Sequence, residues 1–237
     1  MRTLHQFAVP ALAGLLLVAA PAAGQFSRDD GPKETERVDR TVQIRAGGQL
    51  QLKNFSGRVT IAGSNRADMA VHAVRHATRD RLNHIKLDIA ETASGVTIEA
   101  NKKDPDWPER DNNVVDTEFA IEVPADIDVN IEVFSSDVEV KDVRGKQRVH
   151  SFSGDVDLAG GEKSINAETF SGSITVTLAQ GASASVDFDS FSGSLRTSVP
   201  MSYRQSERSD RHHVRGDIGA GGSDYNFKTF SGDLRIR

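Results

Sequence analysis

The 237 residues contain no cysteine, which removes any disulfide framework and any acylated lipoprotein cysteine. The fold has to hold by burial and backbone pairing alone. Neither sign of charge dominates: 29 Lys and Arg stand against 34 Asp and Glu, a net charge of −5. Such a modest, mixed balance gives no broad basic field for nucleic acid or an anionic bilayer, so nucleic acid is excluded as a partner. No apolar run reaches the 18 or more residues that suggest a membrane span. There is no Gly-x-Ser-x-Gly, no Walker loop and no zinc-protease spacing, which leaves nucleophilic, nucleotide and metalloprotease chemistry without support. Tryptophan occurs once and tyrosine twice, whereas phenylalanine occurs eleven times.

Six of those phenylalanines share one phrase. It reads Phe55-Ser56-Gly57-Arg58, Phe134-Ser135-Ser136-Asp137, Phe152-Ser153-Gly154-Asp155, Phe170-Ser171-Gly172-Ser173, Phe191-Ser192-Gly193-Ser194 and Phe230-Ser231-Gly232-Asp233. The central spacings are 18 (152 − 134), 18 (170 − 152) and 21 (191 − 170) residues, the mark of a repeat architecture. After each phrase, apolar and polar residues alternate, as in Val138 and Val140, Val156 and Leu158, Ile174 and Val176, or Leu234 and Ile236. Before it the same alternation runs through Val129, Ile131 and Val133, or Ile165, Ala167 and Thr169. Period-two alternation describes a strand with one buried face. The inward positions change parity across the phrase, so Ser-Gly is read as a bulged corner joining two strands of one coil. The fold expected is all-β, a single-stranded β-solenoid with coils of about 18–21 residues.

Phase alone places the phenylalanines either way. In step with the later strand they build a ladder in the core; in step with the earlier one they form an exposed aromatic stripe for binding. Their number favours burial.

The chain opens with Arg2, an apolar stretch over residues 11–20 and small residues at Ala20-Pro21-Ala22 and Ala22-Ala23-Gly24. This is the pattern of a secretory signal peptide over 1–24, cut after Ala22 or Gly24. Its removal takes away one positive charge, Arg2, and moves the net charge from −5 to −6. Residues 25–37 are polar and unpatterned and read as a flexible leader. Residues 38–237 then form one β-solenoid domain, large enough for a sizeable core. Within it, 78–84 reads as a short helix, and residues 85–98 as a hairpin turning at Ser94-Gly95. Residues 101–113 and 201–223 are excursions. The last two phrases are 39 residues apart (230 − 191), about two repeats, which predicts one coil lacking the phrase.

Asp155, Asp157, Asp187 and Asp189 could pair as the carboxylates of a glycan-processing β-helix enzyme. Outward strand positions must be polar in any case, and alternating Asp meets that need. His72 with His76, His84, His150 and the pair His212-His213 read as surface histidines, because adjacent residues on an extended chain point apart and a metal site needs three or four converging ligands. Calcium would want a glycine-rich nonapeptide that is absent. No metal and no cofactor are therefore expected. Arg215-Gly216-Asp217 spells an integrin-recognition tripeptide, but it belongs to a closing turn. The excursions supply the candidates for partner binding, Trp107, Arg110, Tyr203, Arg204 and Arg208, because aromatics and arginines on loops are common contact residues. Trp107 could equally fold back over an end of the core.

The order Gly47 to Ile61 (Gly-Gly-x-Leu-x-Leu-x-Asn-x-Ser-Gly-x-Val-x-Ile), Phe119-Ala120-Ile121-Glu122-Val123-Pro124, serial Ser-Gly-Asp-Val strands, then Gly216-Asp217-Ile218-Gly219 and a closing Thr229-Phe230-Ser231-Gly232-Asp233-Leu234-Arg235-Ile236 resembles the DUF4097 proteins, also called "putative adhesins" and related to toastrack domains. The resemblance covers about residues 38–237. Phe134-Ser135-Ser136 departs from it in lacking the glycine. It implies a single-stranded β-solenoid, found in envelope proteins with roles in surface adhesion or envelope-stress signalling, and it supplies no catalytic residues. The expectation is a non-enzymatic protein, exported to the periplasm or cell surface, with an adhesin-like surface for an envelope or extracellular protein or glycan and no membrane insertion once the signal is removed. The alternative is a periplasmic scaffold or sensor in envelope-stress signalling.

Overall fold

The computed structural model describes residues 31–107, 113–204 and 212–237. The expected signal peptide, residues 1–24, lies outside the described residues. The first region comprises β1 (Lys33–Gln43), β2 (Gln49–Ser64), β3 (Asp68–Thr78), α1 (Arg79–His84), β4 (Ile85–Glu91), β5 (Gly95–Lys103) and β6 (Asp116–Pro124). The repeats follow as β7 (Asp128–Val143), β8 (Gln147–Ser153), β9 (Val156–Gly160), β10 (Ser164–Ser171), β11 (Ile174–Thr177), β12 (Ala184–Ser192) and β13 (Leu195–Thr197). The chain ends with β14 (Met201–Tyr203), β15 (His213–Ile218), β16 (Ser223–Ser231) and β17 (Leu234–Ile236). The architecture is all-β, one open sheet not closed into a barrel.

The strands before each phrase, together with β5, stack in parallel in the spatial order β5, β2, β7, β8, β10, β16, β12. β4 joins antiparallel at one end, and β15 then β14 at the other. The strands after each phrase stack as β6, β2, β7, β9, β11, β17, β13, with β3 and then β1 antiparallel beyond β6. β2 and β7 run through their corners and belong to both stacks. Inward residues such as Leu52, Ile131, Val149, Ile165, Val176 and Leu234 are fully buried and form one continuous core.

The register explains the glycine of the phrase. Gly172 has φ +146, and a Cβ built there would lie 2.1 Å from the Gly154 carbonyl oxygen. A side chain would thus collide with the backbone of the neighbouring repeat. Where the phrase lacks glycine, Ser136 is buried and its Oγ accepts from Asn54 Nδ2 at 3.3 Å.

Three expectations change. Residues 33–37 are not leader: they are the first half of β1, paired residue for residue with β3. Charge holds them, through Glu34 with Arg79, Glu36 with the buried Arg75, and, further along, Asp39 with His72. No coil without the phrase fills the 39-residue gap among its described residues. Instead β14 and β15 run antiparallel outside β12, and the chain returns to place β16 between β10 and β12. The last repeat in sequence is thereby an inner one in space.

The third change concerns the phenylalanines, whose ladder is on the surface. Each Phe of the phrase follows an inward residue, namely Asn54, Val133, Ser151, Thr169, Ser190 or Thr229, all buried, so it keeps the parity of the earlier strand and points out. The slip comes after it. Most of those preceding residues are small and polar, suited to a narrow corner where they meet backbone: Asn54 Nδ2 donates to the Thr117 carbonyl at 3.0 Å, and Thr229 Oγ1 to the Gly232 carbonyl at 2.9 Å. The large aromatics of the core are others, Phe119, Phe188 and Phe227.

Candidate binding face

On the outer side of the strands that precede the phrase, the six phenylalanines form one row in the order Phe55, Phe134, Phe152, Phe170, Phe230, Phe191. Neighbouring ring centroids are 4.7, 4.7, 5.0, 4.7 and 4.7 Å apart. Rings from Phe134 to Phe191 deviate from parallel by only 1–4°. Sheets ordinarily twist by some 20° per strand, and side-chain ladders are among the devices that flatten them, so this face is flat across five repeats. Each ring remains 40–68% exposed. Because the faces of the rings are covered by one another, the row offers solvent a line of ring edges, the positive rim of the aromatic quadrupole.

Two residues before each Phe runs a second row, in which acids alternate with lysine or histidine. The cross-strand partners are Glu99 with Lys53, Lys53 with Glu132, Glu132 with His150, His150 with Glu168, Glu168 with Lys228, Lys228 with Asp189 and Asp189 with His213. Acids thus occupy every other position, with lysine or histidine between them. Ion-pair distances are 3.1 Å for Lys53–Glu132, 3.3 Å for His150–Glu168 and 3.6 Å for Lys228–Glu168. The aromatic row and the charged row are the two walls of a groove of about 970 Å³ that runs across β5, β2, β7, β8, β10 and β16. Opposite charges on adjacent strands stabilise the pairing modestly, by roughly 0.2–1 kcal/mol each.

The excursions contribute differently. Trp107 is buried, packed with Ala77, Leu82, Ile85 and Val115 and stacked on His84 at 5.3 Å. It belongs to a second, smaller apolar cluster beside the main core, so of its two readings it is folded back and not presented to solvent. Tyr203 is exposed at the end of β14. Arg204 is held by Asp217, Nε to Oδ2 at 2.7 Å, and that bond followed by one from Ser185 lowers the Asp217 carboxyl below its usual range. Arg110 and Arg208 lie outside the described residues.

The four aspartates considered for catalysis do not converge. Asp155 Oδ1 accepts the Ser173 amide at 2.8 Å, and its own amide donates to Asp137 Oδ1 at 3.1 Å, which makes it a staple between corners. Asp233 does the same for the Ser194 amide at 3.0 Å, and the Ser194 hydroxyl and amide hold its carboxyl low. Asp157 stands between Glu139 and Thr175 in the opposite stack. Asp187 and Asp189 do meet a histidine, because β15 brings His213 across from Asp189. One ligand atom from each of the three lies within 4.8 Å of the others, so this is the group that could hold a metal ion among the described residues. Its charge is already answered within the protein: Arg215 Nε donates to Asp187 Oδ2 at 2.8 Å, and His213 Nδ1 pairs with Asp189 Oδ1. The Asp-x-Asp spacing was visible in the sequence, but the antiparallel return that supplies the histidine was not.

Against known proteins, the family model described as Toastrack DUF4097 matches residues 120–237. None of the curated proteins matches. Among solved structures, a "putative cell adhesion protein" from Clostridium sporogenes ATCC 15579 is 11% identical, with 86% of this chain and 99% of that one covered and a TM-score of 0.62, which shows the fold. A "putative adhesin" from Bacteroides fragilis NCTC 9343 is 12% identical, with 85% and 97% covered and a TM-score of 0.34.

Proposed function

Residues 120–237 place this chain in the Toastrack DUF4097 family, and from that premise we propose that it is an exported, non-enzymatic β-solenoid that acts as an adhesin-like binding protein of the cell envelope. The observation that carries the reading is the row of six exposed, stacked phenylalanines. A soluble protein rarely leaves so long a contiguous apolar strip uncovered unless something docks there. The alternating charges beside it give direction and register to whatever binds, the usual contribution of charged residues around an apolar strip.

The ring geometry also favours one class of partner. A sugar stacks on an open aromatic face, and along this row only the two end rings have a face not taken by another phenylalanine. Ring edges suit a second apolar ridge on a protein. The proposed partner is accordingly an envelope or extracellular protein. The test is a photo-crosslinking amino acid placed at Phe152 in intact cells, with Thr175 on the opposite stack as the control site. An adduct with a cell-surface or extracellular protein at 152 and none at 175 supports the adhesin reading. A membrane signalling protein in that adduct would move the assignment to the scaffold or sensor. No adduct at 152, with one at 175, would put the binding face elsewhere.

A further inference from the structure

We propose that the binding face takes a second copy of this same chain, face to face, about a two-fold axis parallel to the strands and passing between β8 and β10. This rests on the reading of the phenylalanine face as a contact surface, and it names the partner.

The argument is one of order along the row. Reading across the sheet, the charged row runs Glu99, Lys53, Glu132, His150, Glu168, Lys228, Asp189, His213. From β5 to β15 it has eight positions, beginning with an acid and ending with histidine; beyond Glu99, Asp88 of β4 continues it with a second acid. An alternating row of even length is opposite in sign to its own reversal. A two-fold axis along the strands reverses the order of strands while keeping each row over itself. It therefore sets Glu99 against His213, Lys53 against Asp189, Glu132 against Lys228 and His150 against Glu168 of the second copy, each pair occurring twice. Each acid of the row then faces lysine or histidine across the interface, and no two like charges meet.

The same axis suits the aromatic row. Six phenylalanines are centred on the gap between Phe152 and Phe170, so reversal lays Phe152 over Phe170, Phe134 over Phe230 and Phe55 over Phe191 of the second copy. The next row, Thr97, Gln51, Asn130, Arg148, Asn166, Asn226, Asp187, Arg215, reverses without setting like charges against each other. One row farther out, Asp128 falls across from Asp224, and complementarity ends there. Isologous contacts of this kind are the commonest in soluble oligomers.

The near-parallel rings from Phe134 to Phe191 let two such faces meet across those five repeats, with Phe55 turned by 15° at one end. Eight strands at about 4.8 Å and about 16 Å of strand length give roughly 600 Å² from each copy. Two copies bury about 1,200 Å², at the lower end of a specific interface. A dimer of micromolar strength is the expected result.

The test uses the full mature chain in sedimentation and light scattering. Wild type should dimerise in the micromolar range. E132K sets the introduced lysine against Lys228 at both ends of its own dimer, and K228E sets the introduced glutamate against Glu132, so each variant alone should dimerise about tenfold or more weakly. Mixed in equal amounts they restore opposite charges at both 132–228 contacts, and dimer should return at wild-type concentrations. Both positions are exposed, and although each variant loses an ion pair within its own sheet, a cooperative melt within a few degrees of wild type confirms that it folds. A wild-type protein still monomeric at about 100 µM, single variants that dimerise like wild type, or a mixture that fails to recover would each overturn the proposal. Partner capture at position 152 in cells is read separately, so a monomeric protein would remove the second copy while leaving the binding face standing.

Discussion

Replacing Gly172 by valine tests the corner from which the whole surface follows. The residue has φ +146, and the new Cβ would stand 2.1 Å from the Gly154 carbonyl oxygen, where ordinary contact needs more than 3 Å. Holding a β-branched residue at positive φ costs about 1–3 kcal/mol. Moving the backbone by about an ångström to relieve the collision would break the corner bonds Gly154 N–H to Ser171 O at 3.1 Å and Gly172 N–H to Ser231 O at 3.2 Å. Those are worth about 1 kcal/mol each. The sum is about 3–5 kcal/mol. For a domain of this size each kcal/mol lowers Tm by about 2–4 °C, so Gly172→Val should melt about 6–20 °C below wild type. Gly181→Val is the matched control, since that glycine also has positive φ, +77, but no atom within 4 Å of its would-be Cβ. It should lose only the conformational part. Equal melting of Gly172→Val and Gly181→Val would refute the idea that the corner glycine is required by the approach of its neighbouring repeat.

Other expectations follow from the same geometry. Phe152→Ala should cost only about 1 kcal/mol, because the ring is half exposed and stacked, whereas Phe188→Ala, fully buried, should cost about 3–5 kcal/mol; urea titration separates the two. Trp107 is the sole tryptophan and is buried against His84, so native fluorescence should be blue-shifted, resist iodide quenching and move red on unfolding. Emission like that of free tryptophan would reopen its role as a contact residue. The Asp233 carboxyl is held low by the Ser194 hydroxyl and amide; being depressed in the folded state, it contributes stability above its unfolded pKa that is lost as pH falls through the folded value. Asp233→Asn should therefore flatten the acid limb of a stability-against-pH curve and leave its alkaline limb unchanged.

The strands and their inward residues were legible because period two is written directly in Val129-x-Ile131-x-Val133 and its counterparts, and the corner was legible from the change of parity. The direction of the phenylalanines turned on where, within four residues, the slip occurs. Hydrophobicity argued for burial, but the small polar residues just before most of these Phe, such as Ser151, Thr169 and Thr229, mark the inward position. The first half of β1, residues 33–37, was read as leader since it is held by ion pairs to β3 and carries little apolar pattern. The groove and the alternating charged row could not be read at all without the order of strands, because Lys228 comes between Glu168 and Asp189 only through the return of β16. Asp155 looked like a candidate acid because local sequence cannot distinguish a carboxylate that staples corners from one that does chemistry.

That strand order is what both the groove and its proposed partner depend on, and the absence of native cysteine makes it directly measurable by thiol pairing. Adjacent in-register strands bring Cα atoms to about 4.8 Å, within disulfide range, whereas strands two apart are out of reach. With cysteines at Phe170 and Phe230 the disulfide should form readily under mild oxidation, and with cysteines at Phe170 and Phe191 it should not. Closure of the 170–191 pair and failure of the 170–230 pair would contradict the account.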